Sequence, residues 1–329
     1  MIRFGLLGAG RIGKVHGLGI AASGKAVIAY VADADAKAAA SLAASVNAKV
    51  ASVDDIIKAK DVDCILICTP TDTHAGLIEA ASKAGKTILC EKPISLTAER
   101  TMACLKVVEA NKTPLMIGFN RRHDPNFAAL EKRLRAGEIG SIELCTIISR
   151  DPSPPPVSYI ERSGGLFRDM MIHDFDMARF LVSEEFVSLH AFGSSIVDPA
   201  IGKAGDVDTA SVHMKTASGK IAVITNSRRA TYGYDQRMEV HGSKGMLRAH
   251  NVHENTVEFA GAAGFTSAPV QNFFLERYTA AYANEVASFL DALAKGTEPK
   301  ANGHDGLMAQ KLADAATESV KTGKMITVA

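Results

Sequence analysis

The chain has 329 residues, 47% of them hydrophobic and 22% charged, with a formal net charge of +1. This is the profile of an ordinary globular protein of about two domains, and it excludes a disordered chain. A near-neutral balance provides no field for nucleic acid or an anionic membrane, so neither is expected as a partner.

The N-terminus, MIRFGLLGAGRIG, reads as a strand entering a turn rather than as a secretion signal. No apolar run approaches the length of a membrane span. Cys64, Cys68, Cys90, Cys104 and Cys145 form no CxxC pair. An odd count without that spacing argues against a disulfide framework or a zinc site, and a reducing, cytoplasmic compartment is expected.

In chain order, strands are expected over 2–7, 26–33, 62–70, 87–93 and 114–119. They alternate with helices over 13–23, 34–46, 73–85 and 97–112. Repeated βα units of this kind predict a parallel, doubly wound sheet. The texture changes near residue 120. A helix over 124–140 is followed by a strand over 141–151, the loop PSPPP (152–156) and one helix over 164–181. Four strand-like runs then follow at 186–197, 207–217, 219–229 and 236–242, and helices over 278–295 and 304–323 close the chain. Strands that follow one another without helices predict an antiparallel sheet. The fold class expected is α/β: a Rossmann domain over 1–120, then an α+β domain over 121–329 with a large open, mostly antiparallel sheet.

GAGRIG (8–13) fits G-x-G-x-x-G in the context it needs, after a strand and opening a helix. Gly8 allows the tight turn, Gly10 admits a pyrophosphate to the backbone, and Gly13 lets helix and strand pack closely. Arg11 and Ile12 complete the loop at the helix N-terminus, where unpaired N–H groups favour an anion. Asp33 lies at the end of the second strand, placed for a ribose 2′-hydroxyl. A carboxylate there repels a 2′-phosphate and Ala34 follows it, so NAD is expected over NADP.

CTPTDTH (68–74) lies at the C-terminal edge of a buried strand, the edge that faces ligand in open α/β sheets. Thr69, Pro70 and His74 are therefore candidates for cofactor contact. A plain helix N-cap explains the same residues equally well. Glu91 and Lys92 of CEKP end another strand; Glu91 is a further candidate for cofactor contact, and a lysine there can donate to a substrate oxygen. In GGLFRDMMIHDFDMARFL (164–181), Asp169 and His173 stand four apart and would share a helix face. A histidine is suited to removing a hydroxyl proton near neutral pH, and a carboxylate can orient it. A satisfied core histidine is the competing reading. No metal-ligand spacing occurs, and no metal is expected.

Taken in order, GAGRIG, CTPTDTH, EKP and GG-x3-D-x3-H-D resemble the glucose–fructose oxidoreductase/inositol dehydrogenase (Gfo/Idh/MocA) family over essentially the whole chain. The segments 118–127, 149–165, 167–181 and 232–245 are most similar to the bacterial inositol dehydrogenases within it. The resemblance implies an NAD enzyme in which Lys92, Asp169 and His173 form the catalytic group, with His173 as general base. It implies Arg122 and Tyr232 as further substrate contacts, and Asp151 is a candidate beside them. The implied reaction oxidises a ring hydroxyl of a small-molecule polyol, myo-inositol to its 2-ketone. A sibling activity on scyllo- or chiro-inositol or a monosaccharide remains open, as does a non-catalytic NAD-binding regulator. A homo-oligomer is expected, a tetramer by resemblance, because one face of the second sheet would otherwise stay uncovered.

Overall fold

The computed structural model describes residues 1–328, with the side chain of Glu161 left aside. The chain divides into two compact units, Met1–Asp124 with Ala280–Lys311, and Pro125–Thr279 with the residues from Leu312 on. The boundary expected at 120 thus falls four residues later, and residues 280–311, expected in the second domain, return to the first.

The first unit is built on β1 (Ile2–Leu7), β2 (Ala26–Ala32), β3 (Lys49–Val50), β4 (Cys64–Ile67), β5 (Thr87–Glu91) and β6 (Leu115–Gly118). Their order is β3-β2-β1-β4-β5-β6, with every pairing parallel. That is the doubly wound order, with the chain reversing direction across the sheet beside β1. Helices α1 (Arg11–Ser23), α2 (Ala36–Ser45), α3 (Val53–Lys58), α4 (Thr71–Lys83) and α5 (Ala98–Ala110) connect the strands. The short β3 and α3 had no expectation in the sequence; two residues of strand are too few to show a period. All four residues of β4 are buried, as an unbroken CILI run between two helix layers requires.

The second unit opens with α6 (Pro125–Arg135), β7 (Ile142–Arg150), α7 (Val157–Ser163), α8 (Gly165–Asp169) and α9 (Ile172–Val182). It continues through β8 (Phe186–Ser194), α10 (Pro199–Lys203), β9 (Thr209–Thr216), β10 (Ile221–Ser227), β11 (Asp235–Gly242) and β12 (Gly245–Ala249). A hairpin of β13 (Glu258–Gly261) and β14 (Gly264–Ser267) leads to α11 (Phe274–Arg277) and α12 (Thr279–Lys295). Then come α13 (Gly303–Thr322) and β15 (Ile326–Thr327). The large sheet runs β12-β11-β7-β10-β9-β8-β15. It is mostly antiparallel, but β10 and β11 are not neighbours: β7 lies between them, parallel to β10 and antiparallel to β11.

Helix α12 rejoins the first unit for an apolar reason. Val286, Phe289 and Leu290 enter the cluster of Phe4, Leu6, Leu42 and Leu66, and Phe289 meets Phe4 with ring centroids 6.4 Å apart. Burying such side chains is worth roughly 1.5–3 kcal/mol each, more than enough to recruit a helix distant in sequence.

Candidate active site

In the first unit, β1 ends at Gly8, whose φ is +101°, and a Cβ there would stand 2.5 Å from the Cys68 carbonyl. A Cβ at Gly13 would stand 1.9 Å from Gly8 O. Only glycine permits this crossing of loop and helix. At Gly10, by contrast, a Cβ would meet nothing within 4 Å, so the space above that peptide is open. Helix α1 begins at Arg11 with no side-chain cap and no acidic residue in its first turn. Its leading N–H groups, from Arg11 through Gly13, therefore have no intrahelical acceptor and suit a pyrophosphate. The loop fits the dinucleotide on its own geometry.

Asp33 follows β2 and sits beside this loop. One of its oxygens accepts from Ala9 N at 2.6 Å and the other from Asp35 N at 2.8 Å. Each oxygen keeps lone-pair capacity for a ribose hydroxyl. Thr69 and Pro70 follow β4, and Pro70 is exposed. Thr69 Oγ1 is 2.6 Å from Thr73 Oγ1, which in turn donates to Pro70 O at 2.7 Å.

His74 is tied to the backbone through both ring nitrogens. Its ring is 1% exposed, with Nδ1 2.8 Å from Pro93 O and Nε2 2.8 Å from Thr69 O. It ties the Thr69–Pro70 turn to the turn after β5 and shapes the loop from behind. Burial, the largest influence, lowers its pKa, while the two carbonyls favour the proton. Glu91 closes β5, and Lys92 follows it, half-buried. Arg122 lies in the single turn Asn120–His123. It donates from Nη1 to Lys300 O at 2.7 Å and pairs through Nη2 with Asp305 at 2.9 Å. Its fork thus joins Lys300 and the first turn of α13 to the turn Asn120–His123.

In the second unit, the single helix expected over 164–181 is two helices. Gly165 has φ +82°, and a Cβ there would stand 2.5 Å from Asp206 Oδ1. Both Asp206 oxygens accept from Leu166 N at 3.0 Å. The first helix ends at Asp169. Met170 N and Met171 N both return to Leu166 O, at 3.0 and 2.9 Å, and Phe175 N opens the next helix on Met171 O. The helix is interrupted at Met170–Met171, between Asp169 and His173, while both linking residues keep right-handed helical dihedrals. Asp169 ends α8, and His173 stands half-buried in the first turn of α9.

Arg228, just after β10, is the residue the sequence did not suggest. Its side chain is 2% exposed; Nη2 is 3.5 Å from Asp169 Oδ2 and Nη1 is 3.6 Å from Asp151 Oδ2. One buried guanidinium thus holds two of the expected acids. Tyr159 Oη donates to the other Asp169 oxygen at 2.9 Å. Asp206 also feels this cluster: burial raises its pKa first, Arg228 lowers it and Asp169 raises it. The only signal in the sequence was a paired Arg228–Arg229 after a strand, a pattern with no fixed meaning. Tyr232 belongs to a separate network. Its hydroxyl donates to Asp235 at 2.6 Å and accepts from Arg150 at 2.8 Å. Asp174 accepts from Asn226 Nδ2 at 2.9 Å, and Arg179 pairs with Glu185 at 2.7 Å. Both serve as structural supports.

Among known proteins, a family model described as an oxidoreductase family with an NAD-binding Rossmann fold matches residues 2–119. A GFO/IDH/MocA C-terminal domain matches 127–248. The chain is 56% identical to the inositol 2-dehydrogenase of Rhizobium meliloti, covering 100% of this chain and 99% of that one. The structure of a myo-inositol dehydrogenase from Corynebacterium glutamicum superposes with a TM-score of 0.96 at 42% identity, covering 100% and 99%. A scyllo-inositol dehydrogenase from Lactobacillus casei, solved with NAD(H) and scyllo-inositol, gives 0.93 at 28% identity, covering 100% and 99% of the two chains.

Proposed function

The chain belongs to the GFO/IDH/MocA oxidoreductase family, and on that premise we propose that it oxidises a ring hydroxyl of a cyclic polyol, myo-inositol first, to the ketone with NAD as acceptor. The observation that carries this reading is the full-length similarity to the Rhizobium meliloti inositol 2-dehydrogenase. Bound NAD supplies the hydride acceptor. The chain's own residues supply the rest. His173 takes the hydroxyl proton, and Lys92 donates to the same oxygen and steadies its developing charge. Asp169, held by Arg228 and Tyr159, orients the reacting group and accepts from a neighbouring hydroxyl. Asp151, on the same arginine, accepts from another. Carboxylates fixed in this way favour a polyol, because a ligand without matching hydroxyls leaves them unpaired.

We propose further that the protein is a cytoplasmic homotetramer. All five cysteines are buried and unpaired, as a reducing compartment allows. Phe192 on β8 is 64% exposed and Tyr232, between β10 and β11, 51% exposed, surface that a second copy would cover. Among the described residues no helix is long and apolar enough to cross a membrane.

The test is NADH absorbance on purified protein with NAD and a panel of inositols and aldoses. Turnover of myo-inositol with the highest kcat/KM is expected. No turnover on any polyol would sink the proposal, and a preference of more than about tenfold for scyllo-inositol would move the substrate within the same chemistry. His173→Ala is expected to lower kcat by roughly 10²–10⁴, the usual share of a general base.

A further inference from the structure

Three ionisable side chains of the first unit meet in its interior. His16 lies on α1, one turn beyond Gly13. Glu91 ends β5 beside Lys92, and Glu285 is carried in by α12. His16 Nε2 is 2.7 Å from Glu91 Oε1 and 3.9 Å from Glu285 Oε2. One donor-type atom from each residue lies within 4.8 Å of the other two. The side chains of His16 and Glu285 are 1% and 0% exposed. Neither carboxylate oxygen of Glu285 has a hydrogen-bond partner among the described residues. The edge of Tyr282 closes the other side of His16, with ring centroids 5.4 Å apart.

Glu91 keeps 12% of its side chain exposed, whereas Glu285 is fully buried, so of two carboxylates this close Glu285 is the one that cannot keep its charge. We propose that Glu285 is held as a neutral carboxylic acid, so that the cluster's negative charge rests on Glu91, which His16 fixes by hydrogen bonding. Glu285 and His16 are then positioning residues for the Glu91–Lys92 turn. The inference rests on the reading that this turn serves the cofactor end of the site. Burial and then the charge of Glu91 both push the Glu285 pKa well up from the usual carboxylate range. The groups that face it are Glu91 from β5, His16 from α1 and the thiol of Cys68 after β4. Burial and then the charge of Glu91 raise the Cys68 pKa well above its usual value.

A divalent cation is the competing occupant, since one histidine and two carboxylates are good ligands. The geometry favours the proton. Donors bound tetrahedrally at about 2.1 Å from an ion stand roughly 3.4 Å apart. His16 and Glu91 are instead at hydrogen-bond length, 2.7 Å.

Two measurements on the full-length protein test this. At neutral pH the infrared spectrum should contain the carbonyl stretch of a buried carboxylic acid, lost in Glu285→Gln. Absence of that band overturns the proposal. So does a stoichiometric divalent metal that wild type retains and the variant loses. In the second measurement, the NADH dissociation constant is followed by nucleotide fluorescence from about pH 7 to pH 10. Wild type should weaken by up to about tenfold per pH unit once Glu285 ionises. Glu285→Gln should keep near-wild-type affinity at pH 7 and lose that extra dependence. Glu285→Met, a second uncharged side chain, replaces it if the amide disturbs the fold. Equal alkaline weakening in wild type and variants overturns the role of Glu285. Since no polyol is present, the result stands whichever substrate the enzyme takes.

Discussion

Asp33 accepts from the amides of Ala9 and Asp35, so the residue proposed to select the ribose also braces the loop before the first helix. Asp33→Ala is expected to weaken NAD by about tenfold to a hundredfold, the worth of a hydrogen bond to a charged group. It should also narrow the preference over NADP, which the ratio of kcat/KM for the two cofactors reads. His123 shows the opposite use of burial. It is 6% exposed, and burial, then Lys300 and Arg122, push its pKa down to about 3. The unfolded chain takes up that proton near pH 6.5 and the folded chain does not. Its contribution is therefore full above pH 6.5 and is lost as pH falls from there towards 3. His74, also shifted down, adds with the same sign. Thermal midpoints across this window should fall less steeply in His123→Gln than in wild type.

At the scale of elements, the decisive feature is the restart between α8 and α9. A continuous helix would have set Asp169 and His173 one turn apart on one face. Across the observed interruption the position of Asp169 is also held by its own partners, Tyr159 and Arg228. Arg228 therefore carries more than its charge. Arg228→Met is expected to lower stability by up to about 3 kcal/mol, since it leaves Asp151 and Asp169 without their shared cation. It should reduce kcat as well. Arg228→Lys, which restores charge without the two-pronged fork, should recover stability better than turnover; denaturant titration and steady-state kinetics separate the two.

At the scale of the whole molecule, the uncovered face of the large sheet bears on assembly. Phe192→Asp should shift the sedimentation coefficient towards that of a smaller assembly without a change of fold, since the ring is exposed in the single chain. An unchanged sedimentation coefficient would place any interface elsewhere. The sequence determined the parallel sheet, its phosphate loop, Asp33 and the residue types of the proposed chemistry. Those are local signals: a period, a glycine spacing, a strand end. Only the tertiary structure decided the rest. It returned α12 to the first unit because Phe289 has its apolar seat against Phe4. It inserted β7 between β10 and β11, which pairing between distant strands sets and hydrophobic alternation does not. It tied His74 to Pro93 and Thr69, Arg122 to Lys300, and brought Arg228 to Asp151 and Asp169. A sequence records which groups are available. Which of them meet is settled by burial and backbone hydrogen bonding between segments far apart along the chain.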